Sequence, residues 1–143
     1  PRMKREDFLG MLDIVDFLLD PIYFGSGNTF YEAMIFGTPI VTLPGKTLSG
    51  RVVLGGYRQM HVENPPVANS IGEFVRLVVE LASDRVALKS LKSMLRDVAS
   101  RYLWDDTQVA DEFAAFIAAS VCAAKRGSKV PPDWRANGSS IDE

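Results

Sequence analysis

The residues best suited to chemistry lie in one short run. Gly25-Ser26-Gly27-Asn28 follows the apolar stretch Asp16-Phe17-Leu18-Leu19-Asp20, which Pro21 ends, and a helical pattern begins at about Thr29. Glycines let a backbone turn sharply and approach a ligand closely. The first N–H groups of a helix have no intrahelical partner and sit at the positive end of its dipole, so they favour an anion. Strand, Gly-Ser-Gly loop and helix N-terminus in that order make either a phosphate site or a bare tight turn, and the pattern leaves both open. The dinucleotide fingerprint is excluded, because the spacing G-x-G-x-x-G is absent.

Other side chains also carry two readings. Thr29-Phe30-Tyr31-Glu32 matches the T-x-x-E capping box, in which Glu32 bonds the Thr29 backbone N–H. The second reading of the same carboxylate, behind the cap on the residues alone, is that it accepts from both ribose hydroxyls of a nucleotide lying on the helix start. Arg51 opens a helical pattern, where a cation opposes the dipole, so an anion or carboxylate nearby is one reading and an exposed side chain the other. Phe8 sits at core spacing with Leu9 and Leu12, or stacks a base. His61 has Met60 and Val62 as neighbours and reads as a loop residue, while Trp104 reads as a packing anchor. Cys122 is the single cysteine, so neither an intrachain disulfide nor a zinc cage exists; a buried thiol is expected.

These groups need elements to position them. Phe8, Leu9, Leu12 and Val15 predict a helix over residues 3–15. Short strands are expected at Phe17 to Leu19 and at Ile40 to Leu43, with a helix from Thr29 to Phe36 between them. Strand, glycine loop, helix, strand is the order of a parallel βαβ unit. A helix from Ser49 to Met60 and an extended segment from Val62 to Ala68 follow. Ser70-Ile71-Gly72-Glu73 is a second capping box, opening a helix with Phe74, Leu77, Val78 and Leu81 inward. Asp84 caps the next helix, whose stripe is Leu88, Leu91, Leu95, Val98 and Tyr102. A last helix places Val109, Phe113, Phe116, Ile117 and Val121 on one face. Two or three strands are few for a doubly wound sheet, so further strands before Pro1 are expected.

With 143 residues, 47% apolar and 24% charged, the composition suits one ordinary globular domain. A net charge of -2 leaves no excess of positive charge to drive nucleic-acid or anionic-membrane binding. No apolar run reaches bilayer-spanning length on this reading, and no signal peptide is seen. A cytoplasmic setting fits. The apolar stripes of the last three helices keep a helical interaction module open as an alternative.

Several blocks together point to a family. Leu19-Asp20-Pro21, Gly27-Asn28-Thr29, Tyr31-Glu32-Ala33, Gly37-Thr38-Pro39-Ile40-Val41-Thr42-Leu43-Pro44-Gly45 and Gly50-Arg51-Val52 resemble the C-terminal catalytic region of O-linked N-acetylglucosamine transferases and their bacterial SPINDLY-type relatives. The similarity runs from about Arg5 to Phe116.

The resemblance implies an α/β fold: the Rossmann-like C-terminal lobe of a GT-B glycosyltransferase, here with a partial parallel sheet and a helical C-terminal extension. Residues 1–124 would form the nucleotide-sugar-binding lobe without its N-terminal part, and 125–143 a flexible tail. Gly27, Asn28 and Thr29 would face the donor diphosphate, Glu32 the ribose, and Arg5 and Phe8 the nucleobase. Arg51 joins this donor-binding set from its own chemistry. Animal relatives have His-Thr-Thr in place of Gly27-Asn28-Thr29 and histidine in place of Phe8, which changes a phosphate contact and a base contact. The implied reaction moves a sugar, usually from UDP-N-acetylglucosamine, to a protein Ser or Thr hydroxyl; SPINDLY-type relatives also include fucosyltransferases, which makes GDP-fucose the alternative donor. No metal or other cofactor is implied, and no catalytic residue is assigned. Acceptor-side groups would lie before Pro1, in a missing N-terminal lobe, so this chain alone is expected to be inactive and to self-associate through its open edge. A nucleotide-binding module without catalysis is the nearest alternative.

Overall fold

The computed structural model describes residues 3–105 and 107–136. Its elements are α1 (Arg5–Ile14), β1 (Leu18–Leu19), α2 (Asn28–Phe36), β2 (Ile40–Val41), a 3-10 turn at Leu48–Gly50, α3 (Val52–Gln59), α4 (Ile71–Ser83), α5 (Arg85–Tyr102) and α6 (Thr107–Lys125). The expected order of helices and strands is present, with shorter strands. The helix expected from Ser49 to Met60 is a 3-10 turn followed by α3.

β1 and β2 pair in parallel, with Leu18 opposite Ile40 and Leu19 opposite Val41. The Leu18 N–H donates to the Pro39 carbonyl at 2.8 Å, and the Asp20 N–H to the Val41 carbonyl at 2.9 Å. On the far side of β2, Thr42 forms a single parallel bridge with Val67. One step earlier, at Ile40, the place of a third strand is taken by a side chain. The Ile40 N–H donates to the Tyr57 hydroxyl at 2.8 Å, and that hydroxyl donates to the Ile40 carbonyl at 3.0 Å. Burial pushes the Tyr57 phenol well above its usual pKa, so it keeps the proton that the second bond requires.

The helix α2 carries the chain from β1 to β2 and packs against α1 and α5. Its buried residues Phe30, Ala33 and Met34 meet Leu12, Tyr57 and Leu95 in the core. The Phe30 ring stands edge-on to Tyr57, with centroids 5.6 Å apart. Gly37 ends α2 with φ 69°, and the N–H groups of Gly37 and Thr38 donate to the Met34 and Ala33 carbonyls. The buried Thr38 hydroxyl then donates to the Leu12 carbonyl at 2.7 Å, tying the entry of β2 to α1.

Two helix caps stand where the sequence places them. Asp84 accepts from the N–H groups of Val86 and Ala87 at 3.0 and 2.9 Å. Ser70 accepts from the Glu73 N–H at 3.2 Å, while the Glu73 carboxylate reaches one residue past the box, to the Asn69 N–H at 2.8 Å. That Asn69 N–H is the main reason the Glu73 carboxyl titrates below its usual range. Its contribution is therefore present above the unfolded carboxylate pKa and disappears as pH falls through the lowered one. Ser70→Ala should cost about 1 kcal/mol of stability, the usual value of an N-cap, as read by urea unfolding. A change within error would mean that α4 does not depend on its cap. The inward residues Phe74, Leu77, Val78 and Leu81 are half-buried, as is Leu91 of the next stripe.

The chain divides after Trp104 into two compact units, so the division falls inside the expected lobe 1–124. The second unit departs from expectation. On α6 only Ala123 is buried; Val109, Phe113, Phe116, Ile117 and Val121 are exposed. Cys122 is exposed as well, not buried, because little of α6 is covered. Contrary to the reading of the apolar runs, α6 is long and apolar enough to cross a membrane by length and composition. In the described part of the segment from residue 125 the chain turns back. Gly127 has φ 68°, the Ser128 N–H donates to the Ala123 carbonyl at 2.9 Å, and Trp134 meets Phe116 with centroids 5.4 Å apart. Residues 137–143 of that tail lie outside the described residues.

Candidate functional site

Two loops leave the carboxyl ends of β1 and β2, the edge where parallel α/β sheets place their ligands. They are joined by their backbones. The Gly25 N–H donates to the Ser49 carbonyl at 2.9 Å. A β-carbon on Gly25 would stand 3.0 Å from both that carbonyl and an Asp20 oxygen, so only glycine closes this contact without a shift. In the second loop Gly45 and Gly50 also pack closely, and the Gly45 N–H donates to the Gly50 carbonyl at 3.0 Å.

Asp20, at the end of β1, is buried. One of its oxygens accepts from the Ser26 N–H at 2.6 Å, the other from the Thr42 hydroxyl at 2.7 Å. The carboxylate thus holds the glycine loop to the strand that follows α2. The sequence reading used Asp20 as punctuation before Pro21 and did not single out Thr42. Their pairing spans 22 residues, so only an aspartate at a strand end followed by glycines hints at it.

The loop leads into α2 with Gly27 at the N-cap, φ -90° and ψ -103°. The Phe30 N–H bonds the Gly27 carbonyl at 2.9 Å. Gly25 and Ser26 have their N–H groups engaged, which leaves those of Gly27, Asn28 and Thr29 as the donors at the turn. A β-carbon on Gly27 would meet nothing within 4 Å, so Gly27 itself is not crowded, and it is exposed.

The capping-box reading of Thr29 and Glu32 is corrected here. α2 starts at Asn28 and has no side-chain cap bond, so Thr29 lies inside the first turn. Glu32 makes no hydrogen bond or ion pair among the described residues and is half-buried. It lies one helical turn beyond Asn28 and Thr29, on their face of the helix. With the cap removed as an explanation, this carboxylate beside the open N–H groups has no structural partner.

Arg51 occupies the N-cap of α3 and donates to the Gly45 carbonyl at 3.1 Å. A neutral carbonyl, rather than an anion, answers its position in this structure. It remains exposed and belongs to the same pair of loops. Arg5 and Phe8 come from a different element, the first turns of α1, which packs against α2. Arg5 is exposed; Phe8 is half-buried and packs on the core, where helical spacing puts it. His61 is exposed and its ring meets Tyr102 edge-on, while Trp104 lies beside Tyr31. Among the described residues no group of three or more His, Cys, Asp and Glu is placed to hold a metal ion.

Comparison with known proteins follows this geometry. No family model matches the chain. A Solanum lycopersicum protein named "Probable UDP-N-acetylglucosamine–peptide N-acetylglucosaminyltransferase SPINDLY" is 28% identical over 99 residues, covering 69% of this chain and 10% of that protein. The Arabidopsis thaliana protein of the same name is 30% identical over 94 residues, 66% of this chain and 10% of the relative. Among solved structures, a mutant of Thermobaculum terrenum O-GlcNAc transferase matches with a TM-score of 0.65 and 26% identity, over 87% of this chain and 22% of that one. The chain spans about a tenth of the length of these curated relatives.

Proposed function

We propose that this O-GlcNAc-transferase- and SPINDLY-like chain is the donor-holding part of a Rossmann-like GT-B lobe, and that the start of α2 receives the diphosphate of a nucleotide sugar. One observation carries the reading: three backbone N–H groups at Gly27, Asn28 and Thr29, at the start of α2 beyond a parallel strand, have no partner among the described residues, and neither has Glu32 one turn further on. The helix dipole and those N–H groups suit phosphate oxygens. Glu32 suits a vicinal diol, accepting from both ribose hydroxyls. Arg51 lends positive charge to the same rim, and Arg5 and Phe8 line the side where α1 meets α2, as the base side.

In the reaction proposed for the whole protein, the bond from the sugar's anomeric carbon to the diphosphate breaks. A bond forms from that carbon to a protein Ser or Thr hydroxyl, whose proton is lost. The diphosphate leaves with growing negative charge, and preorganised N–H donors stabilise it most at that moment. UDP-N-acetylglucosamine is the donor this reading favours, on the names of the relatives. The groups that deprotonate the acceptor are assigned to parts of the protein outside these residues.

Calorimetric titration of the purified chain tests the reading. UDP should bind saturably and more tightly than uridine, because the diphosphate meets the α2 N-terminus. GDP in the same experiment decides the base: preference for GDP would move the donor towards GDP-fucose. Equal affinity for UDP and uridine would remove the phosphate site from α2.

A further inference from the structure

We infer that Asp20 is a positioning residue for diphosphate binding, acting through the backbone of the glycine loop and not through its charge; the inference rests on the nucleotide reading above. Asp20 is 5% exposed and has no Lys or Arg partner among the described residues. A buried carboxylate without a cation is costly. Its hydrogen bonds go to the Ser26 N–H and the Thr42 hydroxyl. Ser26 itself is half-buried, so water could satisfy its N–H without a buried acid. What the carboxylate adds is a fixed link between β1, the loop and the segment after β2.

That link determines which donors a ligand meets. Taking up the Ser26 N–H removes it from the donors left for a ligand, and Gly25 is held against the Ser49 carbonyl beside the same carboxylate. The next three N–H groups, at Gly27, Asn28 and Thr29, are then presented together. The sign of the charge argues against a direct role. A negative group behind an anion site repels the anion, so a carboxylate retained there is retained for geometry. A neutral side chain of the same shape should do the work at least as well. Asparagine at position 20 can accept from Ser26 through its carbonyl and donate to Thr42 through its amide.

The experiment compares UDP and uridine binding across variants of the chain. Asp20→Ala should lower the UDP-to-uridine affinity ratio by about tenfold or more, the scale of a charge-assisted hydrogen bond, with uridine affinity unchanged. Asp20→Asn should keep the wild-type ratio or raise it. Thr42→Val, which preserves volume and cuts one tether, should shift the ratio in the same direction as alanine, and it decides the matter if Asp20→Ala does not fold. An unchanged ratio in both disrupting variants, or equal loss of UDP and uridine binding, would overturn the positioning role. A ratio that falls in Asp20→Asn as far as in Asp20→Ala would also overturn it, since the charge would then be what matters. Wild-type chain that does not distinguish UDP from uridine would defeat the nucleotide reading itself, and the role of Asp20 with it.

Discussion

Gly37→Ala should be among the most destabilising single-methyl substitutions in the first unit, costing about 3 kcal/mol. Two independent effects add. Gly37 has φ 69°, a left-handed conformation that alanine adopts with a penalty of about 1 kcal/mol. An added β-carbon would also stand 2.1 Å from the Lys92 carbonyl oxygen and 3.0 Å from the Arg96 backbone nitrogen. Backbone atoms of α5 cannot swing aside as a side-chain tip can. The α2–α5 contact must therefore open, and overpacking of this kind costs about 1–3 kcal/mol. For a unit of this size the unfolding midpoint should fall by about 10 °C or more. Gly10→Ala is the matched control: it lies within α1 and its β-carbon meets nothing, so the midpoint should hold or rise slightly. Circular dichroism melts of the two variants read the contrast, and equal midpoints would mean that α2 and α5 do not meet at Gly37.

Glu32→Gln should weaken UDP binding by about 1–3 kcal/mol, the range for hydrogen bonds to a charged group, and leave thermal stability unchanged. No hydrogen bond or ion pair among the described residues depends on the carboxylate, so the fold should lose little when the charge is removed. A diol gripped by a carboxylate receives two charge-assisted bonds, and a carboxamide offers one neutral acceptor in their place. A UDP analogue lacking both ribose hydroxyls isolates the contact. Wild type should bind the analogue poorly, and Glu32→Gln should then cost little more. The double cycle separates the pair from effects of either change alone. Equal losses for UDP and the analogue would remove Glu32 from the ribose site.

Much of this was legible because it is local. Ser70, Asp84 and the parallel βαβ order are written within a few residues of one another. Thr29 and Glu32 show the limit of local pattern: their spacing fits a capping box, yet the helix has its N-cap at Gly27, two residues before Thr29, and the box has no N-terminus to cap. The hydroxyl that stands in for a strand at Ile40 comes from Tyr57, and the tether of the glycine loop runs from Asp20 to Thr42. Such pairs depend on how the chain returns, which periodicity does not record. On α6 the stripe from Val109 to Val121 and Cys122 show a related limit. Period predicts that a face is apolar but does not predict that anything covers it. The blocks that resemble O-GlcNAc transferases supplied roles for Gly27, Asn28, Thr29 and Glu32 that their chemistry alone left open.

The central claim is that the start of α2 holds a nucleotide diphosphate. Titrating UDP into isotope-labelled chain, with backbone amide signals followed residue by residue, tests it most directly. The account predicts saturable shifts concentrated at Gly27, Asn28 and Thr29, with uridine moving these amides far less. Saturable shifts centred elsewhere, with those three amides unmoved, would contradict it.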